Sequence, residues 1–183
     1  MGSFLVKNGF IIRGMQPGID YVGVGTCAVC HDGQGRVFLN KRSRKCRDEW
    51  GRWDNSGGKV EFGETPDECM IRELREEYGC SPIKWQKGAF VNTIRINNGV
   101  KTHWVILTYL VQIDPRQACN HEPEKFEEVG WFPLTDLPDN MHSKFEEDFA
   151  SLAGAWEEFY GQRPPDLVEL KRLRSSRDRT AAS

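Results

Sequence analysis

The sequence predicts an α/β fold, and three observations carry that expectation. Residues 66–78 have the signals of a capped amphipathic helix. Runs rich in β-branched and aromatic residues, separated by turn signals, stand on both sides of it. A second apolar stripe at helical spacing extends from about Ser143 to Tyr160. At 183 residues one domain is the natural count, and a hydrophobic content of 38% is enough for one core. A formal net charge of −2 provides no general attraction to nucleic acid polymers or membrane surfaces. No apolar run is long enough to span a bilayer and no signal-peptide pattern opens the chain, so a cytoplasmic protein with reduced thiols is expected.

Taken in order, residues 1–20 read as an N-terminal extension. Tyr21 to Cys30 (YVGVGTCAVC) reads as a buried strand, His31-Asp32-Gly33 as a turn, and Arg36 to Lys41 (RVFLNK) as its hairpin partner. Cys27-x-x-Cys30 followed by His31 has no second ligand pair at zinc-site spacing, so buried thiols are expected there. Ser43 to Arg52 is a polar loop carrying Arg44, Lys45, Arg47 and Arg52. Gly57-Gly58 permits a close backbone approach to a ligand, Lys59 to Phe62 alternates like a short strand, and Gly63 interrupts it.

Thr65 followed by Glu68 is a capping box, Pro66 suits the first helical position, and Gly79 is a C-terminal stop. On that helix Met70, Ile71, Leu74 and Tyr78 share one side, while Glu73, Glu76 and Glu77 gather on another at i, i+3 and i+4. Ile83 to Arg95 is strand-like in its second half, Asn97-Asn98-Gly99 is a hairpin turn signal, and Thr102 to Ile113 is a long strand. Val129 to Pro133 is a last short strand. Phe145, Phe149, Leu152, Trp156, Phe159 and Tyr160 then mark a continuous second helix, closing a domain of residues 21–160. The basic tail, residues 161–183, is expected to start as a short helix and end without fixed structure.

Like charges at i, i+3 and i+4 repel on an exposed helix, so the three glutamates are either a solvated acidic face or a cation site. The residues upstream shift the balance toward a cation site. The unit is Gly58, five residues, Glu64, seven residues, Arg72-Glu73-Leu74, one residue, Glu76-Glu77, one residue, then Gly79 and Cys80. This pattern resembles the Nudix box, the signature of the Nudix hydrolases. Cys80 stands where that family usually has an aliphatic residue.

The resemblance implies a Nudix-type α/β/α sandwich with a mixed β-sheet, and cleavage of a nucleoside diphosphate linked to another group. It implies Mg²⁺ or Mn²⁺ as cofactor, bound by Glu73, Glu76 and Glu77 with the Gly58 carbonyl. Arg72 would orient the glutamates, Glu64 would hold the loop–helix geometry through Arg72, and Glu76 or Glu77 would be the base. Glu122 to Pro138 (EPEKFEEVGWFPLTDLP) is similar to MutT-type nucleoside triphosphate pyrophosphohydrolases. That similarity makes Glu124 a late-loop metal ligand or base, the alternative being a solvent-facing acidic loop.

For the substrate, Trp50 and Trp53 are candidates to stack on a base, and Asp54 and Asn55 to meet its edge. Trp53 could equally be core. Asn55-Ser56 replace the Leu-Pro usual in this segment of the family. Arg36, Lys41 and Arg44 are candidates for phosphate contact, against a solvated basic surface. The leading expectation is hydrolysis of a nucleoside triphosphate, oxidised or deoxy forms included, to the monophosphate and pyrophosphate. The alternatives are a nucleoside diphosphate-sugar hydrolase and a non-catalytic nucleotide sensor. A nucleotide is the expected partner; family members often form homodimers, which no residue here shows.

Overall fold

Alternation along two central strands creates the architecture. The computed structural model describes residues 4–7, 10–97 and 99–172. In chain order the elements are β1 (Phe4–Lys7), β2 (Phe10–Arg13), β3 (Gly23–His31), β4 (Arg36–Arg42), β5 (Trp53–Asp54), α1 (Pro66–Tyr78), β6 (Lys84–Asn97), β7 (Val100–Gln112), β8 (Phe126–Pro133), a 3₁₀ turn (Leu134–Asp136), α2 (Phe145–Ala150) and α3 (Ala153–Tyr160). β1 and β2 pair as a separate antiparallel hairpin within the N-terminal extension. The other six strands form one mixed sheet in the order β5-β4-β3-β7-β6, with β8 running along β4. β3 and β7 are parallel from Gly23↔Trp104 to His31↔Gln112, and the remaining pairs are antiparallel.

Side chains on a strand alternate between faces. Ala28 and Cys30 of β3, with Leu107, Tyr109 and Val111 of β7, pack under Met70, Leu74 and Tyr78 of α1. Val29 of β3 and Leu110 of β7 turn to the other face, against Phe145, Phe149, Leu152 and Trp156 of α2 and α3. Because both faces are covered, β3 reads as a continuous apolar run with little polar alternation. The result is the α/β/α sandwich that the resemblance implied.

Several elements depart from the sequence reading: β1, β2 and β5 have no counterpart in it, and β8 begins at Phe126 instead of Val129. β6 is a strand along its whole length, interrupted by a bulge between Lys87 and Phe90. The expected second helix is two helices, because at Ser151 the backbone leaves helical pairing: the Ser151 carbonyl accepts from the Ala89 N–H in that bulge at 3.0 Å. The Ser151 hydroxyl reaches Thr108 Oγ1 at 2.7 Å. Lys59 to Phe62 is not a strand; residues 56–60 follow the edge of β3 through isolated bridges, with Thr26 N–H donating to Gly58 O at 2.9 Å and Val60 N–H to Val24 O at 3.0 Å.

Of the hairpin signal, Asn98 lies outside the described residues, and β6 and β7 pair up to Asn97↔Val100. In the tail, a helix starts at Leu167, with the Val168 and Glu169 N–H groups donating to Asp166 Oδ1. Its expected unstructured end, residues 173–183, lies outside the described residues. All six cysteines are free thiols; five are buried, Cys27 and Cys30 among them, and Cys119 is exposed. Among the described residues, no helix is long and apolar enough to cross a membrane.

Candidate active site

The helix that carries the acidic cluster is fixed at both ends by its own sequence. Glu68 N–H donates to Thr65 Oγ1 at 3.3 Å, and Thr65 N–H returns a bond to Glu68 Oε2 at 2.8 Å. Gly79, at φ 64°, closes the C-terminus in the left-handed conformation that glycine adopts without strain. With the register set, Met70, Leu74 and Tyr78 enter the core, and the glutamates fall on the flank that meets the Gly57-Gly58 loop.

There the acidic face divides. Glu73 and Glu77 are buried, while Glu76 is exposed. Arg72 is the fixed cation of the cluster. Its Nε and Nη2 donate to Glu64 Oε1 and Oε2 at 2.8 and 3.1 Å, and its Nη1 reaches Glu73 Oε1 at 2.6 Å and Glu76 Oε2 at 2.9 Å. A further bond to the Lys59 carbonyl ties the guanidinium to the loop. These bonds hold Glu64 below the usual carboxylate range. Burial raises Glu73 against the pull of Arg72.

Glu77 is the deepest carboxylate. Its Oε2 accepts from the Gly57 N–H at 3.2 Å, and its Oε1 accepts from Lys125 Nζ at 2.6 Å. Burial raises it to about 7, with Lys125 opposing. The Glu73 carboxylate lies directly on Gly58: a Cβ placed there would stand 1.9 Å from Oε1. The second glycine of the pair is therefore a steric requirement of Glu73. The Gly58 carbonyl points the other way, toward the Thr26 N–H, so in this arrangement it is a backbone acceptor of β3.

The donor chemistry fits a hard divalent cation, since the residues that meet here offer carboxylate oxygens on one side of one helix. Glu73, Glu76 and Glu77 are the side chains that would hold it. They do not converge on one point as they stand. Arg72 gathers two of them and Lys125 the third, and among the described residues no three acidic, histidine or cysteine groups sit in ligating arrangement.

A cavity of about 380 Å³ opens beside Glu77, lined by Cys27, Asp54, Asn55, Lys125 and Asp148, among others. Its size is that of small-ligand clefts. The Asn55 side chain is buried, and among the described residues neither of its amide atoms has a hydrogen-bond partner. Asp54 is held by Arg42 Nη1 at 2.9 Å. Burial, reinforced by Asp54, raises Asp148 to about 7. The Cys27 thiol donates to Asp148 Oδ2 at 3.7 Å. Lys45 and Arg47 of the 43–52 loop also reach this lining, and Asp48 pins that loop to Arg42 and Arg95.

Several expected substrate residues lie elsewhere. Trp53 is core: it is buried and meets Phe132 edge-on at 4.7 Å, because β5 pairs with β4 and turns the indole toward α2. Trp50 is half exposed, bonds through Nε1 to the Cys46 carbonyl at 2.7 Å, and lies outside the cavity lining. Arg36 binds Asp32 at 2.6 Å in the β3–β4 turn, and Lys41 binds Glu128 at 2.6 Å across β4 and β8; neither lines the cavity. Arg44 stacks on Trp50, 5.7 Å from the ring centroid. Glu124 is exposed, and among the described residues it is engaged through its backbone carbonyl, by Ser43 Oγ. The next residue, Lys125, is the one that reaches the glutamates.

Lys125 and Asp148 were missed. Lys125 does leave a trace in the sequence, as the single cation among Glu122, Glu124, Glu127 and Glu128. Asp148 leaves one too: three residues after Phe145 and four before Leu152, it is an acidic residue set within the apolar stripe of its helix, and it is buried.

Comparison with known proteins agrees with this geometry. A Burkholderia pseudomallei MutT NUDIX hydrolase superposes with a TM-score of 0.63 at 31% identity, covering 71% of this chain and 97% of that one. A Bacillus subtilis protein named uncharacterized Nudix hydrolase YvcI is 31% identical over 103 residues, 56% of this chain and 61% of its own. The zebrafish (Danio rerio) oxidized purine nucleoside triphosphate hydrolase is 31% identical over 108 residues, 57% of this chain and 62% of its own. The match thus spans about three-fifths of the length of these two curated relatives. The profile of the NUDIX domain matches residues 22–152, which include the whole sheet from β3 to β8, the acidic helix and the cavity, and on that match the chain belongs to the NUDIX domain family.

Proposed function

We propose that the protein is a divalent-metal-dependent pyrophosphohydrolase that converts a nucleoside triphosphate to the monophosphate and pyrophosphate. The observation that carries this reading is the juxtaposition of two buried glutamates, under Gly57-Gly58, with a cavity whose wall includes Asp54, Asn55 and Asp148. The first would serve a polyphosphate and the second a base.

Bound Mg²⁺ or Mn²⁺ would neutralise phosphate oxygens and lower the pKa of an attacking water. The chain's own residues then have separable tasks. Glu64 and Arg72 lock the loop to the helix through a two-point ion pair. Arg72 also orients Glu73 and Glu76. Glu76 and Glu77 are the candidates to accept the proton of the attacking water, one from an exposed and one from a buried position. In the cavity the Asn55 amide provides a donor and an acceptor for a base edge, Asp54 provides an acceptor, and Asp148, raised to about 7, accepts when ionised and donates when protonated. An edge rich in N–H groups suits that wall, and the name of the zebrafish relative points to oxidised purines.

A panel of nucleoside triphosphates with normal and oxidised bases, dinucleoside polyphosphates and sugar nucleotides, scored for pyrophosphate and monophosphate, tests the proposal. Mg²⁺-dependent pyrophosphate release from a triphosphate is the expected result. Release of sugar phosphate alone would favour a nucleoside diphosphate-sugar hydrolase, and tight binding without turnover a sensor.

A further inference from the structure

One charged side chain at the site has no part in the scheme above. Lys125 Nζ lies 2.6 Å from Glu77 Oε1 and 3.0 Å from Glu122 Oε2. Its side chain is 36% exposed, whereas that of Glu77 is 2% exposed. The two cations of the cluster are therefore held differently. Arg72 is bound on several sides, by Glu64, Glu73, Glu76 and the Lys59 carbonyl. Lys125 reaches inward from the cavity wall on a flexible four-carbon stem. Its backbone, by contrast, is anchored: the carbonyl accepts from Ser43 N–H at 3.0 Å and from Cys46 Sγ at 3.3 Å, and its own N–H bonds to the Glu122 carbonyl at 2.9 Å. The side chain can swing while the residue stays in place.

An ammonium and a divalent cation cannot both sit on one buried carboxylate oxygen, because at a few ångströms their repulsion amounts to several kcal/mol even with partial screening. We infer that Lys125 is a displaceable counter-ion. It neutralises Glu77 in the metal-free protein, yields that carboxylate to an incoming divalent cation, and then presents its ammonium to the polyphosphate of the substrate. Until substrate enters, Glu122, 3.0 Å from the ammonium, is the carboxylate left to hold it. No bond is made or broken in this exchange; one cation replaces another on Glu77. The inference rests on the metal-dependent reading of Glu73, Glu76 and Glu77.

The test uses Lys125→Met and Lys125→Gln in the full chain, with thermal unfolding as the folding control. Mn²⁺ binding is titrated by calorimetry without nucleotide, at the same pH for wild type and variants. Removing the competing ammonium is expected to lower the Mn²⁺ Kd about tenfold, equivalent to about 1.4 kcal/mol. Binding of inorganic pyrophosphate in the presence of saturating Mn²⁺ is expected to weaken about tenfold. In the wild-type protein, added Mg²⁺ is expected to increase labelling of Lys125 by an amine-reactive reagent, read by mass spectrometry. Wild-type Mn²⁺ binding with no tightening in either variant, unchanged pyrophosphate affinity, or labelling indifferent to Mg²⁺ would overturn the role of Lys125 alone. No Mn²⁺ binding by wild type or variants would overturn the metal reading together with it.

Discussion

The two adjacent glycines ahead of the acidic helix should respond to alanine in opposite ways. At Gly57 a Cβ would stand 2.3 Å from the Thr26 carbonyl oxygen and 3.1 Å from the Cys27 Cα. Both are backbone atoms of β3, which β7 and the helices hold from the sides and above. Relief requires the 56–60 segment to move by about an ångström and to loosen its bonds to β3, so Gly57→Ala should cost about 3 kcal/mol of stability. At Gly58 the nearest atoms are the Glu73 carboxylate, at 1.9 to 2.6 Å. A side-chain end can swing away. Arg72 loses one of its bonds and keeps those to Glu64 and Glu76, and the unfolded chain loses some freedom, so Gly58→Ala should change stability by about 1 kcal/mol or less. Moving a catalytic carboxylate by about 1 Å costs on the order of 100-fold in rate. Urea unfolding in EDTA, with pyrophosphate release measured on the same preparations, separates the two effects. A Gly58→Ala protein that turns over at the wild-type rate, or that unfolds more easily than Gly57→Ala, would refute the reasoning.

The other predictions concern single groups. Glu77→Gln should reduce turnover at least 1,000-fold at saturating Mg²⁺ while near-ultraviolet circular dichroism stays native, because the amide keeps the volume and loses the charge. Asp148 titrates near 7 in the fold against 3.8 ordinarily, so between those pH values the folded protein keeps a proton that the unfolded chain gives up. Its contribution to stability therefore falls as pH rises from about 4 to 7 and is flat above. Asp148→Asn has no such proton to lose, and its stability advantage should grow from near zero at pH 4 to about 4 kcal/mol at pH 8 in urea titrations; an advantage independent of pH would contradict this. Of the six thiols, only Cys119 should react rapidly with an aromatic disulfide in the native protein, giving about one equivalent before unfolding releases the rest.

Local patterns specified much of the molecule. The capping box at Thr65 and Glu68, the stop at Gly79, and the i, i+3, i+4 placement of Glu73, Glu76 and Glu77 are properties of one helical turn after another, and they are legible in the residues themselves. The strand at β3 and the hairpin partner at β4 were equally legible, since a strand buried on both faces must be apolar throughout. Tertiary structure decided which glutamates face inward, because that depends on the loop that lies over them. It also placed Trp53 in the core and Arg36 and Lys41 in ion pairs of the sheet, where their types alone suited substrate contact equally well. The break at Ser151 arose from a bulge more than sixty positions earlier, whose Ala89 N–H takes the Ser151 carbonyl. Lys125 meets Glu77 across 48 positions, and Asp148 meets Cys27 across 121. Spacing within an element is set by its pitch and can be read along the chain; burial and charge pairing are set by which distant segments pack together, and those become defined only when the sheet closes against both helical layers.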